Sequence, residues 1–245
     1  MAVEKSNGGY LANPKQKDLL EKVVAAALAE GIYVIIDWHY SGNKIYTSEA
    51  SAFFAEMATT YGQYPNVIFE IYNEPLDTNN WAELKAYSET VTQAIREAGS
   101  TNLVLLPSPR WDQDLNFPAA DPLDPVKFSN VAYTLHFYAG SHGKELRDVA
   151  DAAIAKGLPV FVSEWGTSDA TGGSNHEVYL KESRTWLEWM DSHHLSSCNW
   201  SVFDKNESSC ALVPGASKTG PWPDAQLTAS GKYVKGYING VVQGE

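Results

Sequence analysis

Apolar residues alternate along the chain between stripes with helical spacing and short continuous runs. Asn13-Pro14 is typical of a helix start and Gly31 of a helix end. Between them a stripe at helical spacing predicts the first helix; its members are Leu19, Leu20, Val23, Val24, Ala27 and Leu28. The continuous apolar run over 32–38 is typical of a parallel strand that is covered on both faces.

The same alternation continues to the end of the sequence. It predicts five more helices, at 48–61, 81–98, 144–156, 177–193 and 228–240. It predicts five more strands, at 67–72, 103–106, 131–136, 160–163 and 197–200. An irregular stretch rich in Pro and Asp covers 107–130. Helices that alternate with short apolar strands indicate an α/β fold with a parallel sheet and outer helices. Six strands suit an open doubly wound sheet, whereas a (β/α)8 barrel needs eight.

Polar and aromatic residues follow each predicted strand. Functional groups of α/β folds collect at the carboxyl ends of the strands. These ends read Asp37-Trp38-His39-Tyr40, Tyr72-Asn73-Glu74-Pro75, Pro107-Ser108-Pro109-Arg110-Trp111, His136-Phe137-Tyr138, Ser163-Glu164-Trp165-Gly166 and Asn199-Trp200-Ser201. A single His or Glu at such a place is more often structural or solvated. Their recurrence at all six ends favours one shared site.

Composition excludes several classes of partner. Of the 245 residues, 18 are Lys or Arg and 30 are Asp or Glu, which gives a net charge of −12 and argues against nucleic acid and anionic membranes. Eight Trp, thirteen Tyr and eight Phe leave aromatic faces for a cleft, where they suit flat sugar rings. The first nine residues show neither the basic nor the apolar region of a signal peptide. Cys198 and Cys210 could form one disulfide or be two isolated buried thiols.

Motifs for other chemistries are missing from the sequence. There is no G-x-S-x-G elbow, no G-x-G-x-x-G after a strand and no Walker A motif. His39 and His136 could bind a metal together with Glu74 or Glu164, but no H-E-x-x-H or H-x-H pair supports such a site. We therefore expect neither a metal nor another cofactor.

The segment Tyr72-Asn73-Glu74-Pro75, at the end of an apolar strand, resembles the I-x-N-E-P signature of glycoside hydrolase family 5, a family of retaining β-glycanases. Four later segments resemble the same family in order: His136-Phe137-Tyr138, Ser163-Glu164-Trp165-Gly166, Asn199-Trp200-Ser201 and Lys205-Asn206-Glu207. The resemblance extends from about Gly9 to Tyr237, and it is greatest to bacterial endo-β-1,4-glucanases.

The resemblance implies a role for each matching residue around the scissile bond. Glu74 would be the general acid/base and Glu164 the nucleophile. Asn73 would hydrogen-bond the 2-hydroxyl of the sugar that is cleaved, and His136 would support Glu74. Tyr138 would donate a hydrogen bond to Glu164, and His39 would line the reactive subsite.

The resemblance also implies contacts to the sugars on both sides of that bond. Trp200 would stack under the sugar being cleaved, and Trp111 would be an aromatic platform on the leaving-group side. Lys205 and Glu207 would bind the sugars on the other side.

One departure from the family concerns the number of strands. The family fold is a TIM-type (β/α)8 barrel, so the resemblance implies an N-terminally truncated barrel with about six strands, in which the first two are missing. An arginine that binds the nucleophile would be missing with them, since Arg110 falls in a predicted loop and Arg96, Arg147 and Arg184 fall in outer helices.

A truncated barrel has consequences for its interior and its edges. Glu70 shares the parity of Glu74, so its side chain should point into the barrel. Bare edges at 32–38 and 197–200 would favour a homo-oligomer.

The sequence therefore predicts a single catalytic domain over 1–245 that hydrolyses β-1,4-glucosidic bonds of cellulose or related β-glucans by double displacement. The expected partner is a polysaccharide or oligosaccharide, and the parent protein is expected to be secreted. Two alternatives stay open: a mannanase or mixed-linkage glucanase with the same acids, and a catalytically impaired glycan-binding remnant.

Overall fold

The computed structural model describes residues 1–5, 8–171 and 175–240. Its helices are α1 (Gln16–Glu30), α2 (Thr47–Tyr61), α3 (Trp81–Glu97), α4 (Pro109–Asp112), α5 (Asn116–Ala120), α6 (Lys144–Ala155), α7 (Leu180–Ser192) and α8 (Ala229–Ile238). Its strands are β1 (Val34–Asp37), β2 (Ser41–Gly42), β3 (Val67–Glu70), β4 (Glu74–Pro75), β5 (Val104–Leu106), β6 (Val131–Tyr138), β7 (Val160–Gly166) and β8 (Ser197–Asn199). None of the described helices has the length and apolar character needed to cross a bilayer.

All six predicted strands and all six predicted helices are present, as β1, β3, β5, β6, β7 and β8 and as α1, α2, α3, α6, α7 and α8. The sequence did not predict the two-residue strands β2 and β4, nor the short helices α4 and α5 inside the stretch expected to be irregular. Elements this short contain too few residues to show a hydrophobic period.

The predicted start of the first helix was wrong by about two residues. Helix α1 begins at Gln16, and Asn13 and Pro14 form a turn before it. The backbone N–H of Gln16 donates to the Asn13 carbonyl at 3.0 Å, which is the i to i+3 pattern of a 3₁₀ turn. The predicted end was correct, because Gly31 caps α1 with φ 69°, a left-handed conformation that suits glycine.

The chain divides into two compact units. The first consists of Met1–Thr134 with Val149–Val160. Its parallel strands follow the order β1-β3-β5-β6, with Val34 opposite Val67 and Val104 opposite Val131. The strands β2 and β4 form a separate parallel pair. The prediction of a single catalytic domain is tested by none of these contacts and stays a prediction.

Aromatic side chains fill the core of the first unit. Trp38, Phe53, Phe54 and Phe69 are almost fully buried, and the ring centroids of Trp38 and Phe53 are 5.4 Å apart. These residues come from β1, α2 and β3 and the segments that follow the strands, so burying them packs α2 against the sheet. The apolar stripe of α1 is only partly used, because Val24 and Ala27 are buried while Leu19 and Val23 are exposed.

The second unit consists of Leu135–Asp148 and the chain from Phe161 onward. It contains the second half of β6, then β7 and β8 in that order, with Val162 opposite Ser197. The Phe137 ring stacks on Trp186 with centroids 3.9 Å apart. The Arg147 guanidinium lies 4.8 Å from the Trp186 ring and pairs with Glu182 at 2.6 Å. This stack attaches α6 and α7 to the face of β6.

Candidate active site

Asn73 and Glu74 follow β3 in the first unit, and their backbone is held by the segment after β1. The N–H of Asn73 donates to the Trp38 carbonyl and that of Glu74 to the Tyr40 carbonyl, each at 3.1 Å. Glu74 then pairs with Ser41 in the β2-β4 ladder. Asn73 is buried, whereas Glu74 is partly exposed. The extra ladder therefore holds a carboxyl group at the carboxyl end of the parallel strands.

Two tyrosines and a glycine pack around this segment. The Tyr72 hydroxyl donates to the Gly42 carbonyl at 2.8 Å. A Cβ at Gly42 would lie 2.3 Å from the Tyr40 hydroxyl oxygen, so only glycine fits there. Burial raises the pKa of both Tyr40 and Tyr72 above the usual range of a phenol. Both hydroxyls therefore stay protonated at neutral pH.

His39 lies two residues after Asp37, the last residue of β1, and Asp37 fixes its imidazole. The Nδ1 atom of His39 is 2.7 Å from Asp37 Oδ2. A carboxylate accepts hydrogen bonds, so Nδ1 carries the proton of this contact and Nε2 is the ring nitrogen left for other partners. Sequence reasoning assigned a role to His39 but missed Asp37. An acid two residues before a histidine at a strand end was the available signal.

Trp111 lies in an unusual turn in the stretch that was expected to be irregular. Arg110, Trp111 and Asp112 have φ of 60°, 56° and 56°, which are left-handed values in three consecutive residues other than glycine. The fully buried Asp112 accepts a hydrogen bond from the Ser108 N–H at 2.5 Å through Oδ1 and so closes the turn. Strained backbone of this kind is typical of functional positions. The turn holds a partly exposed indole in a fixed place.

Glu164 lies in β7 of the second unit and is only 9% exposed. The Tyr138 hydroxyl donates to Glu164 Oε1 at 2.6 Å, the contact that the resemblance implies. The Tyr138 ring packs on Gly166, where an added Cβ would lie 2.4 Å from two ring carbons. The Tyr138 N–H donates to His142 Nδ1 at 2.9 Å. Glycine at 166 thus lets Tyr138 approach β7 closely enough to reach the carboxylate.

His136 is buried in β6, and its Nε2 atom is 2.9 Å from the Ser163 hydroxyl oxygen. Ser163 immediately precedes Glu164 in β7, so this contact joins the two strands next to the carboxylate. Sequence reasoning quoted Ser163 within a motif but assigned no role to it.

The segment after β8 contains the other predicted sugar contacts. The Trp200 N–H and the Asn199 side-chain amide both donate to the Trp165 carbonyl, at 2.8 and 3.0 Å. Trp200 is half-buried. Lys205 Nζ and Glu207 Oε1 are 3.5 Å apart on the surface. These two groups thus form an exposed pair of opposite charge.

The four arginines have partners of their own. Arg96 of α3 donates to backbone carbonyls, and Arg147 of α6 and Arg184 of α7 pair with Glu182 and Glu188. The placement of these three arginines in outer helices was correct. Arg110 was expected in a loop; it lies in the left-handed turn of α4 and pairs with Asp114.

Two further expectations concern Glu70 and the cysteines. Glu70 is buried, but so are the other three residues of β3, so its burial does not test the expectation that its side chain points into the barrel, which stays a prediction. Cys198 and Cys210 do not form a disulfide; Cys198 is exposed and Cys210 is buried. The alternative of two isolated buried thiols was therefore right about the disulfide and wrong about the burial of Cys198. Burial raises the pKa of the Cys210 thiol.

Comparisons with known proteins agree on one family. The family model of cellulases, glycosyl hydrolase family 5, matches residues 2–206. An endoglucanase of Clostridium saccharobutylicum is 44% identical over 244 residues, which cover 98% of this chain and 53% of that protein. The chain therefore spans about half the length of this curated relative.

Two solved structures give the same result for the fold. A structure from Cytophaga hutchinsonii matches with a TM-score of 0.91 at 43% identity, over 98% of this chain and 78% of that one. The catalytic domain of endoglucanase Cel5A from Thermobifida fusca, solved in complex with cellotetraose, matches with a TM-score of 0.88 at 29% identity over 98% of this chain and 79% of that one. These likenesses confirm the predicted fold class, a (β/α)8-type barrel of which six strands are present in the described residues. On the family model and these relatives together, the chain belongs to glycosyl hydrolase family 5.

Proposed function

We propose that this chain is an endo-β-1,4-glucanase that cleaves internal bonds of cellulose or related β-glucans with retention of configuration. The observation that carries the proposal is the largely buried carboxylate of Glu164, which accepts a 2.6 Å hydrogen bond from Tyr138 in a chain of family 5. A hydrogen bond to the ionised form keeps a carboxyl group available as a nucleophile. The endoglucanase relatives support a glucan as the substrate, and the cellulase family model and the relative solved with cellotetraose support cellulose in particular.

The reaction proceeds in two displacements. Glu164 attacks the anomeric carbon and forms a glycosyl-enzyme ester, while Glu74 protonates the departing glycosidic oxygen. Glu74, now ionised, takes a proton from water, which attacks the same carbon and releases Glu164. Retention in this way requires the two carboxyl groups to lie about 5–5.5 Å apart around the substrate.

The remaining predicted residues bind and orient the sugar. Asn73 hydrogen-bonds the 2-hydroxyl, His39 lines the reactive subsite, and His136 supports Glu74 from its buried place next to Ser163. The predicted sugar contacts farther out are Trp200, Trp111, Lys205 and Glu207. The left-handed turn at Trp111 and the exposed Lys205–Glu207 pair support those assignments.

Parallel assays on three polysaccharides test the proposed function. Reducing-sugar release should be fast on carboxymethylcellulose and lichenan and slow on mannan, and Glu164→Gln should abolish it. Release from mannan alone would support a mannanase, and release from lichenan alone a mixed-linkage glucanase. Binding of cellooligosaccharides without any release would support the impaired glycan-binding remnant.

We also propose that residues 1–245 act as one catalytic domain. The support is that the family model, over residues 2–206, includes parts of both compact units. A single cooperative transition in thermal unfolding, with equal calorimetric and van't Hoff enthalpies, is the expected result. Two separate transitions would contradict the proposal.

A second copy of the chain is the proposed partner of the β1 edge. Strand β1 is terminal in its sheet order, and exposed apolar residues lie on α1 and just before β1: Leu19, Val23, Ile32 and Tyr33. Terminal strands with apolar neighbours favour pairing with another chain. Sedimentation at increasing concentration should show a dimer that Tyr33→Asp weakens, and a monomer at all concentrations would contradict the proposal.

We propose finally that the parent protein acts outside the cell, because a polymeric glucan is too large to be taken up before cleavage. Endoglucanase activity in the culture supernatant rather than in washed cells would support this proposal. Activity confined to the cell lysate would contradict it.

A further inference from the structure

An exposed phenyl ring lies in the segment after β8, beside the Lys205–Glu207 pair. Phe203 is 46% exposed, and Lys205 Nζ lies 5.2 Å from the centroid of its ring. Lys205 in turn is 3.5 Å from Glu207. An aromatic face, an ammonium group and a carboxylate are thus within reach of one another. The resemblance to family 5 assigns roles to the two charged residues and none to Phe203.

Backbone hydrogen bonds fix the position of Phe203. Its N–H donates to the Ser201 carbonyl at 2.9 Å, and its carbonyl accepts from the Leu212 N–H at 3.1 Å. Two further bonds cross the same segment, since Ser201 donates to Ser209 at 3.3 Å and Ala211 to Ser201 at 2.9 Å. The ring is therefore presented from an ordered support, so a ligand would bind it with little loss of backbone entropy.

Phe203 is not part of the aromatic stack in the second unit, which is formed by Phe137, Trp165 and Trp186. Packing within that stack therefore does not account for a phenyl ring at position 203.

The chemistry of Phe203, Lys205 and Glu207 matches a glucosyl unit. One face of such a sugar carries C–H groups that pack on an aromatic ring, and its edge carries hydroxyls. An ammonium group donates hydrogen bonds to those hydroxyls and a carboxylate accepts from them.

We propose that Phe203 is a stacking platform for a glucosyl unit distant from the scissile bond, and so determines the preference for longer β-glucan chains. The proposal rests on the proposed endoglucanase function and adds a specificity residue to it. Stacking at a distant unit contributes equally to the ground state and the transition state. It should therefore lower KM for long substrates and leave kcat unchanged.

The experiment compares the unmutated chain with Phe203→Ala on cellooligosaccharides from cellotriose to cellohexaose. Loss of one stacked ring should lower kcat/KM by roughly tenfold on the longest substrates and leave the shortest unchanged. The loss should appear in KM, and Phe203→Trp should restore the dependence on length. Val202→Ala is the matched control, since Val202 is adjacent and 70% exposed. It should leave all values unchanged.

Each outcome decides between the possibilities. Equal kinetics of Phe203→Ala and the unmutated chain at every length would overturn the platform. An equal loss at every length, with a lower melting temperature, would assign Phe203 to the stability of the segment instead. If the unmutated chain cleaves no β-glucan, the endoglucanase proposal fails, and calorimetric titration with cellohexaose tests Phe203 on its own. Phe203→Ala should then weaken binding by roughly tenfold, and equal binding or no binding at all would overturn the platform.

Discussion

The hydrogen bond between Tyr138 and Glu164 offers the most direct test of the proposed mechanism. Tyr138→Phe removes one hydroxyl group and keeps the ring that packs on Gly166. The change therefore deletes the 2.6 Å contact to Glu164 Oε1 without creating a large cavity. If Glu164 is the nucleophile, the loss should be seen in the chemical step.

The size of the effect expected for Tyr138→Phe follows from the negative charge on the acceptor, the Glu164 carboxylate. A hydrogen bond to an ionised group contributes about 1.5–3 kcal/mol, and each ~1.4 kcal/mol is tenfold in an equilibrium or rate constant. The bond favours the ionised carboxyl, so its removal should displace the acidic limb of the pH–rate profile to higher pH. At pH below that limb the variant should lose activity by roughly 10- to 100-fold.

The assay is the pH dependence of kcat/KM on a soluble cellooligosaccharide, where the acidic limb reports the free enzyme. Tyr237→Phe is a matched control, because the Tyr237 hydroxyl donates to the Asp191 carboxylate at 2.7 Å on the surface. It removes the same kind of bond away from Glu164 and should leave the profile unchanged. Melting temperatures of both variants should stay close to that of the unmutated chain.

An unchanged acidic limb in Tyr138→Phe would refute the reasoning, because the bond would then not govern the ionisation of the nucleophile. A uniform loss of rate at every pH without a displaced limb would indicate a steric role for the hydroxyl. A limb displaced to lower pH would contradict the sign worked out from the contact.

Four further variants test the site. Glu164→Gln should remove nearly all turnover and retain oligosaccharide binding, and a residual rate above about a tenth of the original would rule out Glu164 as the nucleophile. Glu74→Gln should slow cellooligosaccharides far more than aryl glycosides, whose good leaving groups need little protonation, and equal losses would contradict the acid role. Gly166→Ala should displace the Tyr138 ring and lower kcat by about 100-fold, whereas Gly143→Ala, where a Cβ meets only atoms at 3.6 Å or more, should have no such effect. Asp112→Ala removes the buried hydrogen bond of the left-handed turn that contains Trp111. It should lower the free energy of unfolding, measured by urea denaturation, by about 1–3 kcal/mol, and it should raise KM. An unchanged free energy of unfolding would show that other contacts hold the turn.

The sequence by itself determined the order and the type of the long elements. Helical and strand periods are local properties, so the apolar run over 32–38 and the stripe up to Gly31 were sufficient to predict β1 and α1. Parallel strands place their carboxyl ends at one edge of a sheet. Because Glu74 and Glu164 each follow an apolar run, the sequence also predicted that both lie at that edge. The resemblance to family 5 added roles that spacing alone does not contain.

Tertiary structure decided what depends on residues far apart in the chain. The β2-β4 pair forms only because the segments after β1 and β3 run side by side, and two residues carry no period of their own. The contact of Ser163 with His136 joins residues 27 positions apart, so no local pattern predicts it.

Exposure is likewise a property of the folded chain. The apolar stripe of α1 predicts a helix, but it does not predict which of its residues are buried. Leu19 and Val23 belong to the stripe and are exposed. The sequence analysis assigned no place to Phe203, and only the fold shows that its ring is in contact with solvent beside Lys205. Hydrophobicity is encoded residue by residue, whereas burial depends on which other surfaces the backbone brings within contact distance.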